Sequence, residues 1–408
     1  MKEAKEAKEA KEAKEETEAT APRTASSLWV LLATAFVDML GFAIVFPLLP
    51  FYAQNLDASP AAIGVLISSF SVAQLATAPL WGRLSDRYGR KPMLLIGLGA
   101  AGIAFIVFGL ATSYWMLLLS RTVQGAGGGT TGVVQAYVGD STDPKQRARA
   151  LGWISAATST GVMIGPVIGS AAAHIGPWAP GFVAAALCFG NVLFAARFLP
   201  ESRPAHARPQ RQIKEALWHV LAHPFEPLPR LIWIYTIGMG AFTAMSSVVA
   251  LYLNARFAIN ETSIGYVFMY IGAIAVLMRA LVLGWMVDRI GETRVMRIGA
   301  LVFAMGLLMY TLPSGIWTMA VVLPLVPIGQ ALLFPSVTAL SSHRADKREL
   351  GQMMGVQQAF GGTARVVSPL WATFLFQAWG PRYPFLVAAG IMALVSLLTY
   401  QVDARRGE

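Results

Sequence analysis

One carboxylate, Asp38, lies near the middle of the apolar stretch LWVLLATAFVDMLGFAIVFPLLPFY, which runs from Leu28 to Tyr52. The stretch is long enough to cross a bilayer, where a carboxylate costs about 2.5–3.5 kcal/mol on insertion scales and marks a functional site by default. Of the 22 acidic residues in this 408-residue chain, Asp38 is the only one well inside an apolar stretch. An acid whose surroundings alternate between buried and hydrated can bind and release a proton, so Asp38 is the candidate for proton transfer.

Three arginines also lie inside apolar stretches, namely Arg121, Arg279 and Arg365. A buried charge must pair or face a hydrated cavity, so we expect all three to face a central pathway. Arg121 is the candidate partner of Asp38, and it cannot carry the proton itself because a guanidinium keeps its charge in proteins. The alternative is a permanent ion pair between the two that only ties helices together.

The other two arginines, Arg279 and Arg365, suit an anionic or zwitterionic ligand, because a guanidinium holds a carboxylate or phosphate well. Asp38 is itself a predicted ligand contact, and the further polar side chains that we expect to contact a ligand are Gln124, Gln357 and Gln358. The alternative for all of them is structural, with hydrogen bonds to backbone carbonyls or between helices.

The composition excludes an ordinary soluble domain, since 55% of the residues are hydrophobic and 13% are charged, against about 25% charged in soluble domains. The net charge of +10 suits a topology signal better than nucleic-acid binding. The segment Gly127–Gly132 fits the GxGxxG pattern, but no strand precedes it, so we interpret it as helix packing. We expect no enzymatic activity, no metal site and no cofactor, with protons as the coupling ion.

Apolar stretches of spanning length recur after Leu28 and predict an all-α polytopic membrane protein. The twelve predicted spans are 28–52, 61–82, 93–112, 115–139, 149–173, 180–199, 230–254, 262–286, 295–312, 316–341, 349–376 and 383–401.

Basic residues occupy alternate breaks between these spans. The breaks after the even-numbered spans carry Arg83, Arg87, Arg90, Lys91, Lys145, Arg147, Arg149, Arg203, Arg208, Arg211, Lys214, Arg289, Arg294, Arg297, Arg344, Lys347 and Arg348. The remaining breaks hold only Arg256 and Arg382. By the positive-inside rule this asymmetry places both termini and the basic breaks in the cytoplasm.

The longest break predicts two halves, a first six-helix bundle over 28–199 and a second over 230–402. The linker 200–229 between them contains an amphipathic pattern from Ile213 to Leu221, which predicts a short helix lying on the membrane surface. Residues 1–27 begin with a Lys-Glu-Ala repeat that has no apolar face, and we expect this tail to be disordered, solvated or engineered. Residues 403–408 form a C-terminal tail.

The two halves repeat a motif. Gly82-Arg-Leu-Ser-Asp86-Arg87-Tyr-Gly89-Arg90-Lys91 follows the second span, and Gly284-Trp-Met-Val-Asp288-Arg289-Ile-Gly291 follows the eighth. Six-helix repeats with a site between them at the bilayer midplane are typical of secondary transporters.

These motifs resemble those of the major facilitator superfamily, over the whole of 28–402. Gly161-Val-Met-Ile-Gly165-Pro166-Val-Ile-Gly169 resembles the helix-five motif of its antiporters, with Ser170 in place of the final glycine. Asp38-Met-Leu-Gly41, followed by Pro47 and Pro50, resembles the first helix of proton-coupled drug exporters, including tetracycline exporters. The resemblance implies two pseudo-symmetric six-helix bundles that alternate access to a central site.

The resemblance also implies a conformational gate made of Gly82, Asp86, Arg87, Gly89, Arg90, Asp140, Asp288 and Arg289. In it, Asp86 would accept hydrogen bonds from helix N-terminal amides, and the arginines would reach carboxylates such as Asp140. The alternative is that these charges only set the topology. The glycines of the helix-five motif make a face on which another helix can pack closely, and the motif would seal the pathway against proton leak.

Three functions remain open at this point. The first is proton-coupled export of amphipathic small molecules or drugs across a bacterial-type inner membrane, by a protein that we expect to be a monomer in the lipid bilayer. The second is transport or flipping of an anionic metabolite or lipid held by Arg279 and Arg365. The third is a non-transporting receptor, which would not need the loop and helix-five motifs.

Overall fold

A computed structural model describes residues 28–142, 146–202, 213–344, 350–400 and 402. The predictions for the two terminal tails and for the basic residues Lys145, Arg203, Arg208, Arg211, Lys347 and Arg348 lie outside these ranges. The described residues are helical and joined by short turns, and none of them lies in a strand, which confirms the all-α prediction.

The helices are α1 (28–45), α2 (Leu49–Gln54), α3 (Pro60–Tyr88), α4 (Arg90–Gly109), α5 (Tyr114–Gly127), α6 (Thr130–Ser141), α7 (Arg147–Ala173), α8 (Ala179–Phe198), α9 (Ile213–Ala222), α10 (Pro227–Phe257), α11 (Ile264–Leu277), α12 (Leu283–Ile290), α13 (Glu292–Met309), α14 (Ile316–Val322), α15 (Leu325–Arg344), α16 (Leu350–Trp379) and α17 (Tyr383–Tyr400). A π-helical segment, Met278–Val282, joins α11 to α12.

The helix boundaries follow local sequence signals. Ser59 begins α3 by accepting a hydrogen bond from the backbone N–H of Ala62, and Pro60 occupies the first helical position, where its missing N–H costs nothing. Gly89 ends α3 at φ +99°, and Gly291 ends α12 at φ +80°, a backbone region that glycine enters without steric cost. The repeated motif therefore makes the same sharp reversal in both halves.

Nine helical stretches of the described chain are long and apolar enough to cross a membrane. They are Leu28–Gln54, Pro60–Tyr88, Arg90–Gly109, Arg149–Ala173, Ala179–Phe198, Pro227–Phe257, Ile264–Ile290, Ile316–Arg344 and Tyr383–Tyr400. The other three predicted spans, 115–139, 295–312 and 349–376, coincide with α5–α6, α13 and α16. These are helical, and their passage through the membrane stays a prediction.

The helices pack mainly within each half of the chain. In the first half α4 packs against α8 and α3 against α5, whereas in the second α13 packs against α15 and α17, and α10 against α16. The linker helix α9 is present, and its buried residues Ala216 and Val220 contact Ile232 and Phe360 of the second half. Its predicted position on the membrane surface stays a prediction. The exact domain bounds stay a prediction.

Most of the helix contacts between the halves in the described chain are made by two pairs, α3 with α16 and α7 with α11. The Ser68 hydroxyl donates to the Val366 carbonyl at 2.7 Å, and the Ala61 N–H donates to Gln377 Oε1 at 3.1 Å. These contacts lie at the end of the bundle opposite the basic breaks, which we call the closed end. At the other end, called the basic end, α12 has no buried residue and Leu84 of α3 is exposed. The two halves thus meet at the closed end and present exposed helices at the basic end.

Candidate functional site

The site is built around a break in the fourth predicted span. Gly128 and Gly129, which follow Gly127 at the end of α5, interrupt it before α6 begins, because glycine is a poor helix former. The carbonyls freed by the break have donors on α3: Gln74 Nε2 lies 3.0 Å from the Gly128 oxygen, and Trp81 Nε1 lies 2.6 Å from the Ala126 oxygen. The prediction of helix packing here is thus incomplete, since the glycines also open the helix.

The carboxylate of Asp38, a residue of α1, lies beside Thr130, the first residue of α6 after the break. Its Oδ2 accepts a hydrogen bond from the Thr130 hydroxyl at 3.2 Å. A carboxylate near a helix N-terminus is stabilised by the partial positive charge there. Sequence reasoning missed Thr130, although a threonine that follows a run of glycines is a recognisable start of a second half-helix.

Arg121 is fully buried in α5, at 1% exposure. Its guanidinium donates to Gln124 Oε1 and lies over the ring of Phe70, with 4.7 Å between Cζ and the ring centroid, and over that of Phe42 at 5.6 Å. Its Nε has no hydrogen-bond partner. Arg121 therefore forms a cation–π contact and a glutamine contact in place of the predicted ion pair with Asp38.

Asp38 and Gln124 line one cavity of about 30 Å³, together with Phe42, Phe70 and Thr130. Such a cavity holds a water molecule, so Asp38 has one hydrogen-bond partner and space for a second. The permanent Asp38–Arg121 ion pair, which was the structural alternative, is not formed in this conformation.

The other predicted ligand contacts lie in the second half and do not line this cavity. Gln357 is buried and donates from Nε2 to Thr338 Oγ1 at 3.1 Å, whereas Gln358 is exposed. Arg279 is exposed on the π-helical segment. Arg365 is half-buried in α16, with a buried Nε that has no hydrogen-bond partner.

The loop motif forms a network at the basic end of the first half. Arg90 donates from Nε to Asp140 at 3.0 Å, as predicted, and its NH1 lies 2.7 Å from Asp86. The backbone N–H groups that begin α4 donate to Glu201, with 2.7 Å between Arg90 N and Glu201 Oε1. Glu201 thus takes the place that sequence analysis gave to Asp86, and its position just after α8 was the signal that reasoning from the motif overlooked.

The remaining predicted gate residues have simpler surroundings. Arg87 lies over Tyr88, and Arg289 lies over Trp285. No atom of the described residues lies within 4 Å of the place where a Cβ on Gly82 would stand, so Gly82 makes no close helix contact in this conformation. Asp288 is exposed.

The glycines of the helix-five motif pack against α1, the helix that carries Asp38. A Cβ on Gly161 would stand 2.5 Å from the Phe36 oxygen, one on Gly165 2.6 Å from Ala43 Cβ, and one on Gly169 2.3 Å from the Ile44 oxygen. Since Cβ atoms avoid such distances, only glycine permits α1 and α7 to approach this closely. The carbonyl of Pro166, in the same motif, contacts Gly265 of α11.

The substituted last position of that motif, Ser170, links the two halves. Its hydroxyl donates to the Glu261 carbonyl at 2.6 Å and accepts from the Gly265 N–H at 2.8 Å. Ser170 is completely buried at the closed end. The departure from the motif therefore has a structural role that the sequence did not indicate.

A sequence model described as Major Facilitator Superfamily matches residues 31–282 and again 233–407. The chain is 28% identical over 372 residues to Multidrug resistance protein 2 of Bacillus subtilis (strain 168), covering 89% of this chain and 92% of that protein. It is 28% identical over 352 residues to Tetracycline resistance protein, class D, of Salmonella ordonez, covering 85% and 89%. The solved structure of the human organic anion transporter MFSD10 (TETRAN) aligns with a TM-score of 0.69 and 23% identity over 93% of this chain and 100% of that chain. This structural likeness confirms the predicted fold class.

Proposed function

Because this chain belongs to the Major Facilitator Superfamily, we propose that it is a proton-coupled antiporter that exports amphipathic small molecules or drugs by alternating access. Its family makes it a membrane transporter and not an enzyme. The names of its relatives, which include multidrug and tetracycline resistance proteins, support an amphipathic drug-like cargo.

The observation that carries the proton coupling is the environment of Asp38. The carboxylate has one hydrogen bond, from Thr130, and a cavity large enough for water, and it is free of an arginine partner. A carboxylate locked in an ion pair would stay charged, whereas this one can exchange its proton when the site becomes hydrated. Arg121, held by Gln124 and two aromatic rings, supplies a fixed positive charge near the same cavity.

The closed end supplies the conformational part of the cycle. With the halves joined there, cargo and proton would exchange at the basic end, and rocking of the halves would break the Ser170 and Ser68 contacts to expose the site on the opposite side. The Arg90 network, which links α3, α4 and α6, would keep the first half rigid during this movement. The charge asymmetry supports an orientation in which the basic end and both termini face the cytoplasm, in a bacterial-type inner membrane.

A second cargo class, anionic metabolites or lipids, is favoured by one observation. Arg365 carries a buried Nε without a hydrogen-bond partner among the described residues, and a buried donor left unsatisfied is costly unless a ligand pairs with it. Arg279, exposed on the π-helical segment, would be the second contact for the anion.

Transport in proteoliposomes with an acidic lumen tests both cargoes. We expect the pH gradient to drive uptake of tetracycline or of a lipophilic cationic dye in wild type, and Asp38→Asn to abolish it. Asp57→Asn is the matched control, because Asp57 is an exposed loop aspartate at φ +57°, a conformation that asparagine also adopts. Undiminished proton-driven uptake by folded Asp38→Asn would refute the coupling role.

The same assay separates the two cargo classes through Arg365→Ala. If this variant loses uptake of a fluorescent organic anion and retains uptake of the cationic dye, the second class replaces the first. Equal uptake of both probes by wild type and Arg365→Ala would leave Arg365 without a part in binding.

A further inference from the structure

A group of three ligand-type side chains lies outside the transport pathway, where the linker meets the second half. His219 is in the last turn of α9, His223 follows that helix directly, and Glu226 precedes the first residue of α10. Their side-chain nitrogen and oxygen atoms lie within 4.8 Å of one another, and all three residues are exposed.

The backbone places His219, His223 and Glu226 on the same side of the junction between α9 and α10. His219 and His223 are four residues apart, which places them one above the other on a helical face, and the His223 N–H donates to the His219 carbonyl at 3.0 Å. The Glu226 N–H in turn donates to the His223 carbonyl at 3.2 Å. Glu226 occupies the N-cap position of α10, but its side chain makes no capping hydrogen bond, so the carboxylate remains available to a ligand.

The side-chain geometry fits a metal ion. The two imidazole rings stack with their centroids 4.8 Å apart and 28° between their planes, and His219 Nε2 lies 3.4 Å from Glu226 Oε2. Two imidazole nitrogens and one carboxylate oxygen around a tetrahedral ion, at bond lengths of about 2.0–2.2 Å, lie roughly 3.3 Å apart. The His219–Glu226 pair already has this separation, and exposed side chains can turn to close the remaining gap.

The surroundings leave room for further ligands. A cavity of about 410 Å³ opens beside His219 and Glu226, and it is also lined by Arg344 of α15 and Met353 of α16. A site with three protein ligands completes its coordination with water, which this cavity can supply. Arg344 is the positively charged group that shares the cavity wall, and the Glu226 carboxylate offsets part of its repulsion of a cation.

A metal ion bound at this cluster would connect the linker helix α9 to the second half. The underside of α9 is already anchored, because Val220 is buried against the second half and its carbonyl accepts from Trp233 Nε1 at 3.1 Å. An ion held by His219, His223 and Glu226 would join the end of α9 to the start of α10. It would therefore fasten the linker to the second half without entering the transport pathway.

We propose that His219, His223 and Glu226 form a binding site for a divalent transition-metal ion of the Zn²⁺ or Co²⁺ type at the junction of α9 and α10. Imidazole nitrogens with one carboxylate select such ions over Mg²⁺ and Ca²⁺, which prefer all-oxygen sites. This inference is independent of the proposed transport function and departs from the sequence-based expectation of no metal.

The test is a Co²⁺ titration of the full chain, purified in detergent without a polyhistidine tag, followed by the visible absorption of the bound ion and by competition with Zn²⁺. We expect one bound equivalent in wild type. His219→Gln and His223→Gln should each weaken binding by about tenfold or more, and Glu226→Gln should weaken it too. Cys188 is completely buried and does not compete.

His343→Gln is the matched control. His343 also faces a single carboxylate, with its Nδ1 3.3 Å from Glu292, but no second histidine of the described chain completes a cluster there, so its loss should leave the affinity unchanged. Wild type that binds neither ion at micromolar concentration would overturn the proposal. So would a His219→Gln, His223→Gln double variant that keeps the wild-type affinity, and unchanged binding by Glu226→Gln would remove the carboxylate from the site.

Discussion

The contact between α7 and α11 at the closed end can be tested by adding a side chain at Gly265. A Cβ at this residue would stand 2.2 Å from the Pro166 oxygen and 2.7 Å from Ser170 Oγ, far short of the 3.4–4 Å of ordinary van der Waals contact. The nearer atom is backbone, so it cannot move aside as a flexible side chain would. Gly265→Val therefore has to push α7 and α11 apart.

The size of the effect follows from the cost of overpacking. Extra methyl groups in a well-packed interface cost about 1–3 kcal/mol, and this cost falls only on the conformation in which the closed end is shut. A free-energy difference of that size changes the ratio of two conformations by roughly 5–150-fold. The conformation with the closed end shut and the one with it open differ by a few kcal/mol in a typical two-state protein. With such a difference in wild type, Gly265→Val raises the population of the open conformation until it is measurable or predominates.

Distances between two spin labels measure this shift. Asn55→Cys and Arg382→Cys place labels on exposed residues of the two halves at the closed end, and the only native cysteine, Cys188, is buried and inaccessible to the reagent. Pulsed electron–electron double resonance gives the label-to-label distances. In Gly265→Val we expect the distance distribution to gain a longer component. Gly190→Val is the control, because no atom lies within 4 Å of a Cβ at that residue.

An unchanged distance distribution in folded Gly265→Val would refute the reasoning. It would mean that α7 and α11 absorb a valine without separating, and so that their close approach does not hold the end shut. A longer component in Gly190→Val as well would assign the change to general loosening of the fold.

Three further outcomes follow from single hydrogen bonds. Thr130→Val removes the donor to Asp38, a bond to a charged group worth about 1.5–3 kcal/mol, so pH-driven uptake should fall, whereas Thr130→Ser should retain it. Glu201→Gln removes the negative charge at the start of α4 and should lower the free energy of unfolding by about 0.3–1 kcal/mol, measured by thermal unfolding. Ser170→Ala loses the two hydrogen bonds that the Ser170 hydroxyl makes to the second half and should shift the closed-end label distances as Gly265→Val does, but less.

Local composition made much of the architecture predictable. The length of the apolar stretches sets the helical class and the positions of the predicted spans. Capping residues set the helix ends, and glycine permits the sharp reversals at Gly89 and Gly291. All of these signals act within a few residues. The glycine run at 127–129 shows the limit of this reasoning. Glycine at that point serves either close packing or a helix break, and here it serves both, because donors from Gln74 and Trp81 of another helix satisfy the opened carbonyls.

The partners of the charged side chains were less predictable. The sequence predicts that Asp38 pairs with Arg121 and that Asp86 accepts from helix N-terminal amides, whereas in the structure Asp38 pairs with Thr130 and the α4 amides donate to Glu201. The sequence of a span determines its hydrophobicity. Which side chains of two helices come into contact depends instead on the rotation and tilt of one helix relative to the other. Contacts between distant residues set those two angles.

The sequence by itself determined that the chain crosses a membrane, that its breaks alternate in charge, and that one acid, Asp38, lies at membrane depth. Transfer free energies of side chains and the short range of helix signals suffice for these conclusions. The tertiary structure decided that Asp38 lies at a broken helix beside a water-sized cavity, that the halves close at the end opposite the basic breaks, and that His219, His223 and Glu226 meet at the linker. The closed end depends on the close approach of α7 to α11, and the Asp38 site on the contact of α1 with α6, both of which only the folded chain brings together.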